Sequence, residues 1–269
     1  MNSLFDLTGE VAVVLGATGV LGGAIASGLA DAGAKVAVLG RNRERGEARV
    51  RSIQQRSGAA QFFLADALDQ TSLKTARDSV SEQLGIPTVL VNAAGGNDPR
   101  VTITADHPFE AIETANWHEN FDLNLVGGAL LPCQVFGTMM KSQSKGSIIN
   151  IASVSAHLPL SRVVAYSAAK AAVLSLTLFL AREWAPHNVR VNSITPGFFP
   201  GEQNRRLLFN EDGSPTARGQ VILNHTPLAR FGNPSELVGA AVFLASEQAS
   251  GFVTGIDLRV DGGFLSQTI

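Results

Sequence analysis

The sequence predicts one α/β domain, residues 1–269, in which a doubly wound parallel β-sheet carries helices on both faces. Short apolar runs rich in valine, typical of strands buried on both sides, alternate with longer stretches of helical periodicity. This alternation continues along the chain without an internal repeat or a break in composition. In addition, 45% of the residues are hydrophobic and only 16% are charged, which provides enough apolar material for a large core.

Seven runs are predicted to form the strands of this sheet: residues 11–15, 35–39, 61–64, 88–91, 147–151, 189–194 and 256–260. Helices are predicted at 24–33, 41–57, 71–84, about 116–141, around Tyr166, and after Asn233, where Pro234 takes the first helical position. Two stretches fit neither pattern. Residues 97–115 are interpreted as an insertion, and residues 198–226 as a mixed segment that forms a substrate lid.

The first strand runs directly into a glycine-rich turn, and a helix and a second strand follow. This βαβ context is the one in which a glycine motif indicates a Rossmann-type dinucleotide site rather than merely a tight turn. Glycines let the backbone approach a pyrophosphate, and the helix N terminus offers free N–H groups. The residues of the turn predicted to contact the cofactor are Gly16, Thr18, Gly19, Leu21 and Gly22.

Tyr166 is the only tyrosine, and it lies four residues before Lys170 in an Ala- and Leu-rich run that predicts a helix. On a helix such residues are neighbours, so the hydroxyl and the ammonium can share one site. The cation is expected to lower the pKa of the tyrosine from its usual value of about 10, which would suit it to proton exchange with an alcohol or a carbonyl. Taken alone, the spacing fits equally well a surface tyrosine and a snorkelling lysine.

Composition argues against several other classes of function. A formal net charge of −2 disfavours nucleic acid and anionic membranes as partners. The lone cysteine, Cys133, is interpreted as a small buried hydrophobe, and no metal site is predicted. The start of the chain does not resemble a signal peptide, and the apolar stretch 174–181 is too short to span a bilayer. A cytoplasmic protein is therefore expected.

Several motifs in the same order resemble those of the short-chain dehydrogenase/reductase family. They are the glycine turn, Asn92-Ala-Ala-Gly95, Asn124, Ser153, Tyr166-x-x-x-Lys170, Pro196-Gly197 and Val260-Asp-Gly-Gly263, and they span the whole chain. The resemblance implies an NAD(P)-dependent oxidoreductase that interconverts a secondary alcohol and a ketone.

The resemblance also implies a role for each catalytic residue. Tyr166 would be the general acid in ketone reduction, Ser153 would hydrogen-bond the substrate oxygen, and Lys170 would hold the nicotinamide ribose. Asn124 would bind a water that links Lys170 to solvent. The competing interpretations are that Ser153 only caps a strand end and that Asn124 only satisfies backbone groups.

Further cofactor contacts follow from the same resemblance. Asp66 is placed to accept a hydrogen bond from the adenine amino group, although a turn-forming aspartate is a fair alternative. The other implied contacts are Ala67, Asn92, Ala94, Gly95, Pro196, Gly197 and Phe199, together with Tyr166 and Lys170.

The end of the second strand bears on the choice between NADP and NAD. Where an acidic residue would bind the ribose 2′-hydroxyl, the sequence has Gly40, followed by Arg41 and Asn42. Because an arginine is suited to a phosphate, NADP is the preferred cofactor and NAD is the alternative. The competing interpretation is a solvated basic helix start, since Arg43 and Arg45 follow.

The insertion and the stretches 198–205 and 225–232 resemble the mannonate oxidoreductase and fructuronate reductase-like members of this family, whose substrates are sugar acids. Such a substrate needs amide, hydroxyl and cationic groups around the cleft. The candidates are Asn97, His157, Gln203, Asn204 and Arg205, with Arg205 suited to the carboxylate. The competing interpretations are that His157 is a loop histidine without a ligand and that Arg205 pairs with Glu202 or Glu211.

Two further hypotheses remain open at this point. The first is a general carbonyl reductase, including a 3-oxoacyl reductase on a carrier-bound chain, whose acidic carrier would need a basic patch that the sequence does not concentrate near the lid. The second is a non-catalytic NADP-binding sensor, against which the presence of Tyr166 and Lys170 argues. By family analogy a homo-oligomer, a dimer or a tetramer, is expected, with residues 251–265 packed between subunits.

Overall fold

The structure is a computed structural model that describes residues 4–201 and 204–267. Within these residues seven parallel strands form one sheet in the order β3-β2-β1-β4-β5-β6-β7. The strands are β1 (Val11–Leu15), β2 (Lys35–Gly40), β3 (Ala59–Leu64), β4 (Val89–Asn92), β5 (Gly146–Ile151), β6 (Val189–Pro196) and β7 (Asp257–Val260). The strand order reverses between β1 and β4, so the predicted doubly wound sheet is confirmed.

Helices cover both faces of the sheet. They are α1 (Val20–Asp31), α2 (Arg43–Gln54), α3 (Gln70–Gln83), α4 (Thr114–Phe121), α5 (Leu131–Gln143), α6 (Val164–Trp184), α7 (Arg205–Leu208), α8 (Ala217–His225), α9 (Val238–Ala245) and α10 (Glu247–Ser250). A π-helical segment, Asp122–Leu130, joins α4 to α5, where the sequence predicts one regular helix. Pro132 follows this segment and lacks the N–H of a regular α-helical turn, which favours the wider winding.

The core consists of two apolar clusters, one on each face, because side chains alternate along the strands. On β1, Ala12 and Val14 join the cluster beneath α1 and α9, whereas Val13 and Leu15 join the cluster beneath α3, α5 and α6. Cys133 belongs to the second cluster, and burial raises the pKa of its thiol to about 12. The interpretation of Cys133 as a buried hydrophobe is therefore confirmed.

A third, smaller cluster fastens the predicted lid to the sheet. Leu208 of α7 and Ile222 of α8 pack with Val154, which lies just beyond β5, and with Phe264. Where it is described, the segment 198–226 thus contains the two short helices α7 and α8, which pack against the carboxyl end of β5. Ligands of such sheets bind at this edge, and a role of the segment as a substrate lid stays a prediction.

The insertion after β4 is anchored to α4. It contains the 3₁₀ turns Pro99–Val101 and Phe109–Ala111, and Arg100 forms ion pairs with Asp98 at 2.6 Å and with Glu119 at 2.7 Å. Glu119 lies on α4, so the contact ties the insertion to the helical layer.

Two helices of the described chain, Thr114–Gln143 and Val164–His187, are long and apolar enough to cross a membrane by length and composition. The prediction drawn from residues 174–181 alone missed the full length of the second helix. Core helices of soluble proteins meet the same criteria, so the finding is weak support for a membrane span.

Candidate active site

The glycine turn after β1 packs against the segment that follows β4. Gly16 has a φ of +87°, and a Cβ there would lie 2.6 Å from backbone atoms of Ala93 and Ala94. A Cβ at Gly22 would lie 2.5 Å from the Gly16 carbonyl oxygen, so both positions require glycine. Gly19 is the N-cap of α1 and provides no side-chain cap, which makes the first N–H groups of the helix available to a ligand. These features fit the pyrophosphate of a dinucleotide.

Three polar residues follow β2, and they are used in different ways. Arg41 is exposed and forms no ion pair with any residue that the structure describes. Arg43 pairs with Glu47 at 3.3 Å, and the Asn42 side chain caps α2 by accepting the N–H of residue 45 at 2.9 Å. Among these side chains, Arg41 is therefore the cation that is left to contact a cofactor.

The two predicted adenosine contacts with polar side chains are already engaged in the fold. Asp66 Oδ1 accepts the N–H of Leu68 at 3.0 Å, so the turn-forming interpretation applies to that oxygen. Asn92 is fully buried, and its Nδ2 donates to Asn150 Oδ1 at 2.8 Å across β4 and β5. The side chain of Asn92 thus links β4 to β5. Ala67, next to Asp66, is buried.

Ser153, Tyr166 and Lys170 come together where β5 ends and α6 begins. Lys170 is 3% exposed, and its Nζ donates to the Ile151 carbonyl at 2.8 Å. The same Nζ lies 5.7 Å from the centroid of the Tyr166 ring. Ser153 lies close enough to Tyr166 to affect its titration. Helical spacing therefore brings Tyr166 and Lys170 together on α6, and the turn after β5 adds Ser153.

The pKa values at this site differ from the sequence-based expectation. Burial raises the pKa of Tyr166, and the nearby Ser153 side chain opposes the shift only in part. Lys170 does not lower it here, and burial lowers the pKa of Lys170 itself to about 8. The expectation of a lowered tyrosine pKa rested on helical spacing, which carries no information about burial.

Ser155 is a participant that the sequence reasoning missed. It is buried, its hydroxyl donates to Ser153 Oγ at 3.0 Å, and its backbone N–H donates to the same oxygen at 3.2 Å. Ser153 thus caps the 3₁₀ turn Val154–Ala156, and not the end of β5 as its competing interpretation has it. Because Ser153 accepts both hydrogens, its own hydroxyl hydrogen remains available to a third oxygen. The Ser-x-Ser pattern at a strand end is the signal that could have identified Ser155.

Asn124 fastens the loop after β4 rather than facing solvent. Its Oδ1 accepts the Gly96 N–H at 2.9 Å, and its Nδ2 donates to the carbonyls of Gly96 and Asn120, both at 2.8 Å. Asn120 is also buried and donates to the Gly96 carbonyl at 3.1 Å. Gly95, in the same loop, lies beside the lysine, since a Cβ there would lie 3.5 Å from Lys170 Nζ. The two asparagines therefore hold a loop that borders Lys170. Both amide hydrogens of Asn124 are used within the fold, and the contact of this residue with a water that links Lys170 to solvent stays a prediction.

Comparisons with known proteins agree with this geometry. A family model described as enoyl-(acyl carrier protein) reductase matches residues 16–265. The chain is 42% identical over an alignment of 271 residues to the uncharacterized oxidoreductase UxuB of Bacillus subtilis, with 97% of this chain and 96% of that protein covered. The chain belongs to the short-chain dehydrogenase/reductase family. This short-chain dehydrogenase is also 34% identical over 265 residues to 5-keto-D-gluconate 5-reductase of Escherichia coli, with 98% and 99% covered.

Solved structures of other short-chain dehydrogenases have the same fold. One, from Haemophilus influenza, is provisionally described as a D-mannonate oxidoreductase and contains NAD; its TM-score is 0.92, at 36% identity and 99% coverage of both chains. Another is a gluconate 5-dehydrogenase from Burkholderia cenocepacia in complex with NADP and tartrate, with a TM-score of 0.88, 33% identity and 98% coverage of both chains. This short-chain dehydrogenase is an NAD(P)-dependent oxidoreductase that acts on CH–OH groups.

Two of the predicted cofactor contacts, Gly197 and Phe199, are fixed by contacts within the fold. The Gly197 N–H donates to the Val260 carbonyl at 3.0 Å, which extends the pairing of β6 with β7 beyond Pro196. Phe199 is buried in the same apolar cluster that Leu21 packs against. No group of three His, Cys, Asp or Glu side chains able to hold a metal occurs among the residues described.

Asn97 and His157, two of the predicted substrate residues, are partly occupied by other contacts. The exposed Asn97 donates to Thr102 Oγ1 at 2.7 Å within the insertion. His157 Nε2 lies 3.0 Å from Asp257 Oδ2. Both residues lie near the carboxyl edge of the sheet, but these contacts give neither of them a defined orientation towards Tyr166.

Arg205 is exposed on α7, and its guanidinium lies 5.5 Å from the centroid of the Phe209 ring. The neighbouring Asn204 closes a turn, since its Oδ1 accepts the Gly201 N–H at 2.7 Å. Glu202 and Gln203 lie outside the described residues. Nothing in these contacts directs Arg205 towards Ser153 or Tyr166.

Proposed function

We propose that this enzyme interconverts a secondary alcohol and a ketone on a sugar acid of the gluconate or mannonate type. The supporting observation is that its Ser153–Tyr166–Lys170 site occurs in a chain similar, over almost its full length, to a 5-keto-D-gluconate 5-reductase. The related gluconate 5-dehydrogenase in complex with tartrate, itself a hydroxylated acid, supports the same substrate class.

In the reducing direction the nicotinamide cofactor supplies the hydride. Tyr166 donates its hydroxyl proton to the ketone oxygen, and in the oxidising direction the phenolate removes that proton. Ser153 donates a hydrogen bond to the same oxygen, with Ser155 holding the serine in place. Lys170, charged below a pH of about 8, lies 5.7 Å from the Tyr166 ring, and the hydrogens that its Nζ does not donate to Ile151 would hold the nicotinamide ribose. Asn124 acts through the loop at Gly95 and Gly96, which it holds beside Lys170.

NADP is the preferred cofactor in this proposal. Arg41 is an exposed cation without an ion-pair partner in the described chain, and Gly40 places no carboxylate beside it. Relatives contain either NAD or NADP, so the preference rests on Arg41. A Cβ at Gly40 would lie 2.8 Å from Thr18 Cγ2, so Gly40→Asp would displace Thr18 and is a poor test.

Arg41→Ala is expected to weaken NADPH binding about tenfold and NADH binding less than about twofold, because only NADPH carries a 2′-phosphate. Fluorescence titration of both cofactors measures this. Arg43→Ala is the matched control, since Arg43 already pairs with Glu47. Tighter binding of NADH than of NADPH by the wild type would favour the interpretation of Arg41 as part of a solvated basic helix start. An equal loss of affinity for both cofactors in Arg41→Ala would favour the same interpretation.

The substrate class is tested with two pairs of ketones that differ in one carboxylate. D-Fructuronate is compared with D-fructose, and 5-keto-D-gluconate with L-sorbose, each with NADPH and with NADH. We expect kcat/KM for at least one acid to exceed that for its neutral partner by about 10²-fold or more, equivalent to roughly 3 kcal/mol of charge recognition. Equal or better turnover of the neutral ketoses would favour the general carbonyl reductase instead.

A homo-oligomer, a dimer or a tetramer, and a cytoplasmic location remain predictions. Leu178 and Phe179 on α6 are 60% and 58% exposed, and Phe252 is fully exposed, which supports association through apolar surface. Sedimentation of the purified enzyme would determine the oligomeric state.

A further inference from the structure

The lid helix α8 has an inward face that lies over the loop between β5 and α6. Ile222 on this face is buried and packs with Val154, the residue next to Ser153. Arg218 precedes Ile222 by four residues and therefore lies on the same face of the helix. Its Nη1 donates to Ser161 Oγ at 3.3 Å. Arg218 is thus directed at the loop that carries the catalytic residues.

A second arginine, Arg162, lies in that loop, next to Ser161 and four residues before Tyr166. It has a φ of +77°, and its carbonyl accepts the N–H of Ile103 from the insertion at 2.9 Å. The insertion, the catalytic loop and the lid therefore meet at Arg162. Burial and then the charge of Arg162 lower the pKa of Arg218, which places the two cations within electrostatic reach of each other.

Arg162 and Arg218 are neighbouring cations that no carboxylate of the described residues offsets. Neither forms an ion pair with a carboxylate within residues 4–201 and 204–267, whereas Arg100 and Arg230, for example, are both paired. Neighbouring cations, one of them half-buried, repel each other unless an anion lies between them. Guanidinium groups match a carboxylate in bidentate geometry.

We propose that Arg218, assisted by Arg162, receives the carboxylate of the substrate and lets the lid distinguish a sugar acid from a neutral ketose. This inference rests on the proposed function and names the carboxylate subsite of the same cleft. It replaces Arg205, which is exposed and stacked on Phe209. Because Arg218 belongs to α8, a bound carboxylate draws the lid onto the loop beside Ser153.

The test uses Arg218→Met, which keeps an unbranched apolar stem and removes the charge. We expect kcat/KM for 5-keto-D-gluconate or D-fructuronate, whichever the wild type reduces better, to fall at least about tenfold, mainly through KM. The matched neutral ketose should change less than about twofold, because no carboxylate loses its cation. Arg218→Lys should restore part of the loss, since it retains the charge but not the bidentate geometry.

Arg206→Met on α7 is the control, because Arg206 is an exposed lid arginine that should leave both substrates unaffected. Titration calorimetry of D-gluconate into the NADPH complex should show the same loss of affinity in Arg218→Met without turnover. Equal losses on acid and neutral substrates would overturn this inference alone, as would an unchanged Arg218→Met. Failure of the wild type to reduce either acid would overturn the proposed function, and this inference with it.

Discussion

Replacing Tyr166 by phenylalanine is expected to lower kcat by about 10²–10⁴-fold, the range for loss of a general acid–base group. The substitution removes only the hydroxyl oxygen of a partly buried ring, so the packing of α6 should be preserved. Cofactor affinity should change little, because the glycine turn and Arg41 lie on other elements of the fold. Steady-state turnover and fluorescence titration of NADPH measure the two quantities separately.

Ser155→Ala is expected to lower kcat less than Tyr166→Phe does. Ser155 contacts Ser153 and is not itself expected to touch the substrate, so a smaller loss of kcat should follow from a less well held Ser153. Turnover of Tyr166→Phe close to that of the wild type would remove the catalytic assignment. A loss of NADPH binding in Tyr166→Phe would also contradict this assignment, because the substitution would then have disturbed the fold.

Lys170→Met is expected to abolish most turnover while changing the pH dependence of stability. The pKa of Lys170 is lowered from 10.5 to about 8, so burial of the charged form opposes folding by about 3 kcal/mol at neutral pH. Methionine removes this penalty but leaves the Ile151 carbonyl without its donor, a loss of about 1–3 kcal/mol. The two effects oppose each other at pH 7, so the change of the free energy of unfolding with pH is the informative quantity.

The folded-state pKa of Lys170 lies below its unfolded value, so its penalty is complete below pH 8 and disappears between pH 8 and about 10.5. The free energy of unfolding of the wild type should therefore rise relative to Lys170→Met over that range, by up to about 3 kcal/mol. Denaturant titrations at several pH values measure the difference. A difference that stays constant with pH would show that Lys170 does not titrate with a lowered pKa.

Much of the fold could be predicted because its strands are buried on both sides. The Val-rich runs at β1 and β2 appear in the sequence as uninterrupted apolar segments, and the glycine turn follows from its βαβ context. The Tyr166–Lys170 pair could be found because helical spacing alone brings residues four apart together. These features could be predicted from the pattern of residues close together in the sequence.

Features that depend on contacts between distant residues could not be predicted in the same way. Asn124 clamps Gly96, which is 28 residues away in sequence, and Asn120 acts on the same carbonyl. The raised pKa of Tyr166 follows from burial, which spacing does not report. Likewise Arg205 and Arg218 are both lid arginines in the sequence, and only the packing of α8 distinguishes the one that faces the catalytic loop.

The central claim is that this enzyme transfers a hydride between a nicotinamide cofactor and a keto group of a sugar acid. The most direct measurement incubates the wild type with NADPH and either 5-keto-D-gluconate or D-fructuronate, and follows cofactor absorbance and the product by NMR. We predict that one keto group becomes a secondary alcohol for each NADPH oxidised, with the carboxylate intact, and that Tyr166→Phe shows almost no conversion. No conversion of either acid by the wild type with NADPH or with NADH, or NADPH oxidation without formation of the hydroxy acid, would contradict the claim.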